Sequence, residues 1–288
     1  MSTSSFLPIE DVADTAFLTA FYRAMESDRP DAHFHDPYAR TLAGTRGKQA
    51  AQHMPDNHSA AASFAVRTCI LDELILQTIE DHQVDVVISL GAGLDTRAYR
   101  LPLPPSIRWI EVDQPQVLTY KKNTLEAFQP VCHYQNISLD LANLAARRTM
   151  LRSITTQATR GLVITEGLLA YLTADQVAAI AQDLYETAKV QWWLTDLSAP
   201  IALQLIQMEV GQSQSHGGVK LQFAPAEGAD FFRPYGWQMV EARSTFAEAR
   251  RLKRSSLPEE TFAQLSQQDW NTLCQMSRFI RLSRIDIA

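Results

Sequence analysis

The sequence predicts an α/β fold built on a doubly wound, mostly parallel sheet. Three observations predict it. Short β-branched runs alternate with amphipathic helices from residue 84 onward. The first run leads directly into Gly91-Ala92-Gly93, a turn that lets a ligand approach the backbone. Acids stand at the ends of the next three runs, the place where ligands bind in such sheets.

The elements follow in order. Phe17, Leu18, Phe21, Tyr22 and Met25 fall at helical spacing and predict a helix over 14–26. The segment 28–44, with its prolines and aspartates, reads as turn-rich. A long helix over 59–81 carries the stripe Phe64, Ile70, Leu71, Leu74, Ile75 and Ile79. Five strands then span 84–90, 107–113, 133–140, 161–167 and 190–196, with helices over 114–128, 141–154 and 172–188. Pro115 sits near the first position of its helix, where proline is best tolerated. Thr173 and Gln176 predict a capping box, ahead of the buried stripe Val177, Ile180, Ala181, Leu184 and Tyr185.

The alternation breaks over 197–236, which reads as a lid insertion, helical over 201–210. Its aromatics Phe223, Phe231, Phe232 and Tyr235 either line an apolar pocket or pack the insertion on the core. The α/β pattern resumes at residue 236, and the alternating run 278–287 suits a final strand. The division is a single domain: a helical cap (1–82), a ligand-binding core (83–196), the insertion (197–236) and the rest of the sheet (237–288).

Composition excludes several classes. A chain of 288 residues that is 46% hydrophobic buries a full core. A net charge of -6 with interspersed signs argues against nucleic acid held by charge. Cys69, Cys132 and Cys274 are widely spaced, which fits buried thiols better than zinc or disulfides. The first residues lack the basic and apolar regions of a signal peptide, and no apolar run approaches the ~20 residues of a membrane span. The expectation is a cytoplasmic protein with no membrane, metal or nucleic-acid partner.

The strand ends narrow the ligand. The first run ends in the glycine turn, the second in Glu111-Val112-Asp113, the third in Asp140-Leu141 and the fourth in Glu166-Gly167. Asp113 follows Gly91 by 22 positions, close to the spacing at which an acid meets a ribose. A dinucleotide such as NAD fits poorly. Thr96 replaces the third glycine, Pro102, Pro104 and Pro105 cut the helix short, and Asp95 would repel a pyrophosphate. S-adenosylmethionine has no phosphate and carries a cationic sulfonium and ammonium, which suit an acid-rich rim. Arg67 shares the apolar face of its helix with Ile70, Leu71 and Leu74. Its guanidinium either pairs with a strand-end acid or anchors the ligand's carboxylate.

The stretches "SLGAGLDTRAYRL", "IEVDQP…KK", "LDL" and "TEGLLAYL", in this order, resemble the leucine carboxyl methyltransferase superfamily, including its bacterial polyketide O-methyltransferase branch. "TAFLTAFYRAMES…FHDPYARTLAG" and "FAVRTCILDELI" extend the resemblance over nearly the whole chain. It implies a class I, Rossmann-like methyltransferase fold with a seven-stranded sheet, and S-adenosylmethionine as cofactor. By the same resemblance Arg67 would hold the methionine carboxylate, and Gly91, Ala92 and Gly93 would admit the methionine part. Asp113, next to Gln114, would accept the ribose hydroxyls, with Glu111 as second choice. Asp140 and Leu141 would meet the adenine. Glu166, followed by Gly167, would face the ammonium or backbone end, and Arg23 would match a basic residue near the carboxylate.

The implied chemistry is displacement at the sulfonium methyl, in which the protein mainly positions the partners. A carboxylate acceptor, ionised at pH 7, needs no base. For a hydroxyl acceptor a base should help, and His35, His216 and Tyr171 are candidates by residue type alone. No residue is assigned as catalytic. The expected function is O-methylation of a small molecule. The alternatives are a protein C-terminal carboxyl methyltransferase, an NAD-dependent oxidoreductase and a non-catalytic S-adenosylmethionine-binding protein.

Overall fold

The apolar runs form one seven-stranded sheet. Its strands are β1 (Val86–Leu90), β2 (Arg108–Asp113), β3 (His133–Ser138), β4 (Gly161–Thr165), β5 (Val190–Ser198), β6 (Trp237–Ser244) and β7 (Ser277–Arg284), in the order β3-β2-β1-β4-β5-β7-β6. The structure is a computed structural model that describes residues 12–287 apart from 53, 55, 157, 188 and 213–219. β1 to β5 are parallel, and β7 runs antiparallel to both β5 and β6. The order reverses between β1 and β4, and this switch opens a crevice at their carboxyl ends.

Every residue of β1 and β4 is buried, which is why both read as continuous apolar runs. Their side chains alternate between two cores. Val87 and Leu162 pack with Ile70, Leu74 and Ile75 of α3 (Asn57–His82). Val86 and Ile88 pack on the other face with Ile180, Leu184 and Trp193.

The helices mostly start where their chemistry allows. In α3 the Asp56 side chain caps the helix by accepting from the His58 and Ser59 amides. α4 (Arg97–Arg100) is a single turn, cut off by the prolines after Leu101. α5 (Pro115–Thr124) carries its proline at the start. After α6 (Leu144–Thr155), α7 (Ala174–Glu186) has the expected capping box. The Gln176 amide donates to Thr173 Oγ1 at 3.3 Å, and the Thr173 amide to Gln176 Oε1 at 2.9 Å. Thr173→Ala is expected to cost about 1 kcal/mol in urea unfolding, with an unchanged slope.

One region differs from the sequence reading, and in a second the structure decides between its alternatives. The segment 28–44 is not all turn. Beyond α1 (Val12–Ser27), α2 (Ala39–Gln52) begins inside it and is kinked at Gly44. Its buried face is built from Ala39, Leu42, Ala43, Ala50 and Ala51, and small residues leave little periodic signal until α1 packs on them. The second region is 197–236. α8 (Pro200–Gln212) covers the helix read over 201–210, and Gly228–Tyr235 form a 3-10 helix. Phe223 and Phe232 are buried, with Phe232 5.1 Å from the Trp193 ring and Phe231 4.9 Å from Phe223. These aromatics, with Tyr235, belong to the core below α7 and to its margin.

α9 (Thr245–Arg251), α10 (Glu259–Gln264) and α11 (Gln267–Met276) complete the chain before β7. Among the described residues no helix is long and apolar enough to cross a membrane.

Candidate cofactor site

A cavity of ≈ 380 Å³ opens at the carboxyl ends of β1, β2 and β4, roofed by α1 and α3. Its wall includes all ten cofactor-site residues expected from the sequence: Arg67, Gly91, Ala92, Gly93, Asp113, Gln114, Asp140, Leu141, Glu166 and Gly167. Arg23 and Tyr171 line it too. His35 does not, and His216 lies outside the described residues.

The turn after β1 is braced by the acid that ends β2. Gly93 holds a φ of 55°, and its amide donates to Asp113 Oδ2 at 2.6 Å. The Gln114 amide donates to Asp113 Oδ1 at 2.6 Å. Burial pushes the Asp113 carboxyl above its ordinary value, and these two amides act against that. Each oxygen keeps a lone-pair direction for a further donor. Glu111, the second choice for a ribose, is excluded from this role. It is fully buried, pairs with Lys121 and accepts from the Tyr134 hydroxyl at 2.7 Å. It does not line the cavity, because it lies inside β2 under α5.

At the far side Asp140 and Leu141 follow β3. Asp140 Oδ1 accepts from the Ala142 amide at 2.9 Å, and Arg147 holds the Leu141 carbonyl at 2.5 Å. Both residues stay on the cavity rim beside Leu139.

At the β4 end Arg67 pairs with a strand-end acid and also lines the cavity. Its Nε donates to Glu166 Oε1 at 2.5 Å, as a strand-end ion pair. Its terminal nitrogens lie over Gly167 on the cavity wall, where a Cβ would come within 2.4 Å of Nη2. Glu166, expected at the ammonium or backbone end, lines the cavity and has a second arginine partner. Its other oxygen accepts from Arg97 Nη1 at 2.6 Å. Burial raises the Glu166 carboxyl, and Arg97 and Arg67 outweigh it, holding the value at about 2. Arg23 is buried too, and donates to Asp36 at 2.8 Å and to the Leu94 carbonyl at 2.6 Å.

The sequence reading missed the network behind this wall. Arg97 meets Asp72 at 2.7 Å and Asp95 at 3.1 Å besides Glu166. Arg100 meets Asp72 at 2.6 Å, and Thr96 Oγ1 donates to Asp36 at 2.6 Å. Asp95 is therefore committed to Arg97 and held below the usual carboxylate range despite its burial. The signal was an acid, Asp72, inside the apolar face of α3. Asp196, near the end of β5, was missed likewise, although it is one more strand-end acid. Its Oδ1 accepts from the Gly167 amide at 2.6 Å.

The sequence profile of the leucine carboxyl methyltransferases matches residues 16–185, from α1 through α7. The chain belongs to the leucine carboxyl methyltransferase family. Every strand-end residue of the cavity lies inside the matched span, and β5 to β7 lie beyond it. Among curated proteins this family member is similar to one from Parafrankia, provisionally named an S-adenosyl-L-methionine-dependent methyltransferase. The two are 34% identical over 66% of this chain and 60% of the relative. A protein of Frankia alni with the same provisional description is 30% identical over 80% of this chain and 84% of its own length. The match to the Parafrankia relative thus spans about three-fifths of that protein.

Solved structures agree on the fold. One from Thermobifida fusca, provisionally titled a methyltransferase, superposes with a TM-score of 0.60 at 16% identity, covering 98% of this chain and 99% of that one. A DUF574 family protein from Streptomyces avermitilis gives 0.58 at 12% identity, covering 94% and 97%. The seven-stranded sheet with its antiparallel β7 is that of a class I methyltransferase.

Proposed function

We propose that this chain binds S-adenosylmethionine in the cavity and transfers its methyl group to an oxygen of a small molecule, with a carboxylate as acceptor. The observation that carries the cofactor reading is Asp113, a buried acid tied to the Gly93 amide and open to the cavity. Two vicinal hydroxyls match its remaining acceptor directions. The rest of the wall fits the same ligand. The terminal nitrogens of Arg67 suit a carboxylate, and Leu141 with Asp140 suits an adenine face and its amino group.

A dinucleotide is disfavoured on two counts. α4 has only four residues, too short to present an N-terminal anion site. Asp95 stands ionised in the wall beside it.

When bound, S-adenosylmethionine supplies a methyl group on a positively charged sulfur, already a strong electrophile. The chain's residues then have to bind, orient and exclude water. Two of the cavity's titratable residues are poor proton acceptors. Glu166, at about 2, is committed to two arginines, and burial raises the Tyr171 phenol so that it keeps its proton. An acceptor that arrives ionised requires neither group to act as a base. That favours a carboxylate over a phenol or alcohol.

Calorimetric titration with S-adenosylmethionine, S-adenosylhomocysteine and NAD tests the cofactor. Binding of the first two without NAD is expected, and tight NAD binding alone overturns the reading. Labelled methyl transfer to a panel of carboxylic acids, phenols and peptides with free C-termini tests the acceptor. The expected product on the small acids is an ester, which releases its label in alkali. A label retained in alkali points to an ether and overturns the carboxylate assignment. Label on the peptides alone points to a protein C-terminus.

A further inference from the structure

We infer that Asp196 is a positioning residue of the cofactor site: through the Gly167 amide it holds the β4 exit turn on which the Arg67 guanidinium lies. The inference rests on the reading of the cavity as a cofactor site.

The register places Asp196 for this task. β4 and β5 pair in parallel as far as Thr165 and Thr195. Asp196 therefore stands beside the first residues to leave the sheet, Glu166 and Gly167. Its Oδ1 accepts from the Gly167 amide at 2.6 Å. Gly167 has a φ of 61°, and its Cα face lies against the guanidinium. A Cβ there would meet Nη2 at 2.4 Å and Nη1 at 3.1 Å. The preceding residue, Glu166, takes Arg67 Nε at 2.5 Å. Two consecutive residues of one turn thus meet the guanidinium at its Nε and at its terminal nitrogens, and Asp196 ties that turn down.

Asp196 itself does not line the cavity, so its effect on a ligand passes through Gly167 and Arg67. Its backbone is held independently, because β5 continues to Ser198 and pairs Asp196 with Phe279 of β7. Trimming the side chain leaves that pairing in place. Burial raises the Asp196 carboxyl, while the Arg67 charge and the Gly167 amide pull it down.

Asp196→Ala is expected to weaken S-adenosylmethionine binding about tenfold by calorimetry, the size of one lost hydrogen bond. Asp196→Asn keeps a carbonyl oxygen for the Gly167 amide and should stay within about threefold of the unaltered chain. In a double-mutant cycle, Asp196→Ala should add little to Arg67→Ala, since it acts through that side chain. If the Ala chain does not fold, Asp196→Glu replaces it, because the longer side chain displaces the turn, and the same loss and the same coupling are expected. Unaltered affinity in the Ala (or Glu) variant, an Asn variant as weak as Ala, or full additivity with Arg67→Ala overturns the inference. Failure of the unaltered chain to bind S-adenosylmethionine sinks the cofactor reading instead, which separates the two.

Discussion

Asp113→Ala is expected to lower the affinity for S-adenosylmethionine by roughly a hundred- to ten-thousandfold. Two charge-assisted hydrogen bonds to ribose hydroxyls, each contributing about 1.5–3 kcal/mol, set that range. The substitution also removes the acceptor that braces the Gly93 and Gln114 amides, which pushes the effect toward the upper end. Asp113→Asn separates the contributions, because it keeps one acceptor oxygen and loses the charge.

The same residue predicts a pH dependence with a definite sign. Ribose hydroxyls donate to the ionised carboxylate. Affinity is therefore full above the Asp113 value and falls as pH drops through it, approaching tenfold per unit. Burial raises that value, so the fall begins at a higher pH than an ordinary aspartate would show. Glu166 is not its source, since its carboxylate persists down to about 2. Calorimetry between pH 4 and 7 checks this (a range chosen around ordinary carboxylate values). The Asn variant should bind weakly and without that slope. Equal slopes in both chains would falsify the assignment.

Arg97→Met is expected to destabilise the protein by about 3–5 kcal/mol, the cost of removing one partner from a buried ionic group. Arg97 is 2% exposed and meets three carboxylates, those of Asp72, Asp95 and Glu166. A methionine fills part of the volume and compensates none of that charge. Against a typical total of 5–15 kcal/mol this is a large fraction, readable in denaturant unfolding. The acid limb should change as well. The folded value of Glu166, about 2, lies below the ordinary 4.5. Its contribution is present above that ordinary value and is lost as pH falls through about 2. Without Arg97 the folded value rises and the contribution shrinks at every pH above it. A variant with wild-type midpoints at pH 7 and pH 3 would show that the network is not what holds this wall together.

How much was legible follows from where each signal resides. β1 and β4 are buried on both faces, so their apolar runs stood out without any structure. A doubly wound sheet puts strand ends around one crevice by topology alone. Gly93, Asp113, Asp140 and Glu166 could therefore be brought together before any distance was known. The alanine-rich face of α2 carried no such pattern, and neither did the choice between pocket and core for Phe223, Phe231 and Phe232. Whether an aromatic faces a cavity or a helix depends on what packs over it.

The sequence by itself determined the fold class and the strand-end residues of the cavity wall, because periodicity and strand-end position are local properties of the chain, and its motifs carried the family. Tertiary structure alone decided who pairs with whom. Arg67 and Glu166 are 99 residues apart, and Arg97 and Glu166 are 69 apart. Buried charges must find partners within a few ångströms, and only the packing of α3 and α4 on the end of β4 determines which carboxylates lie there.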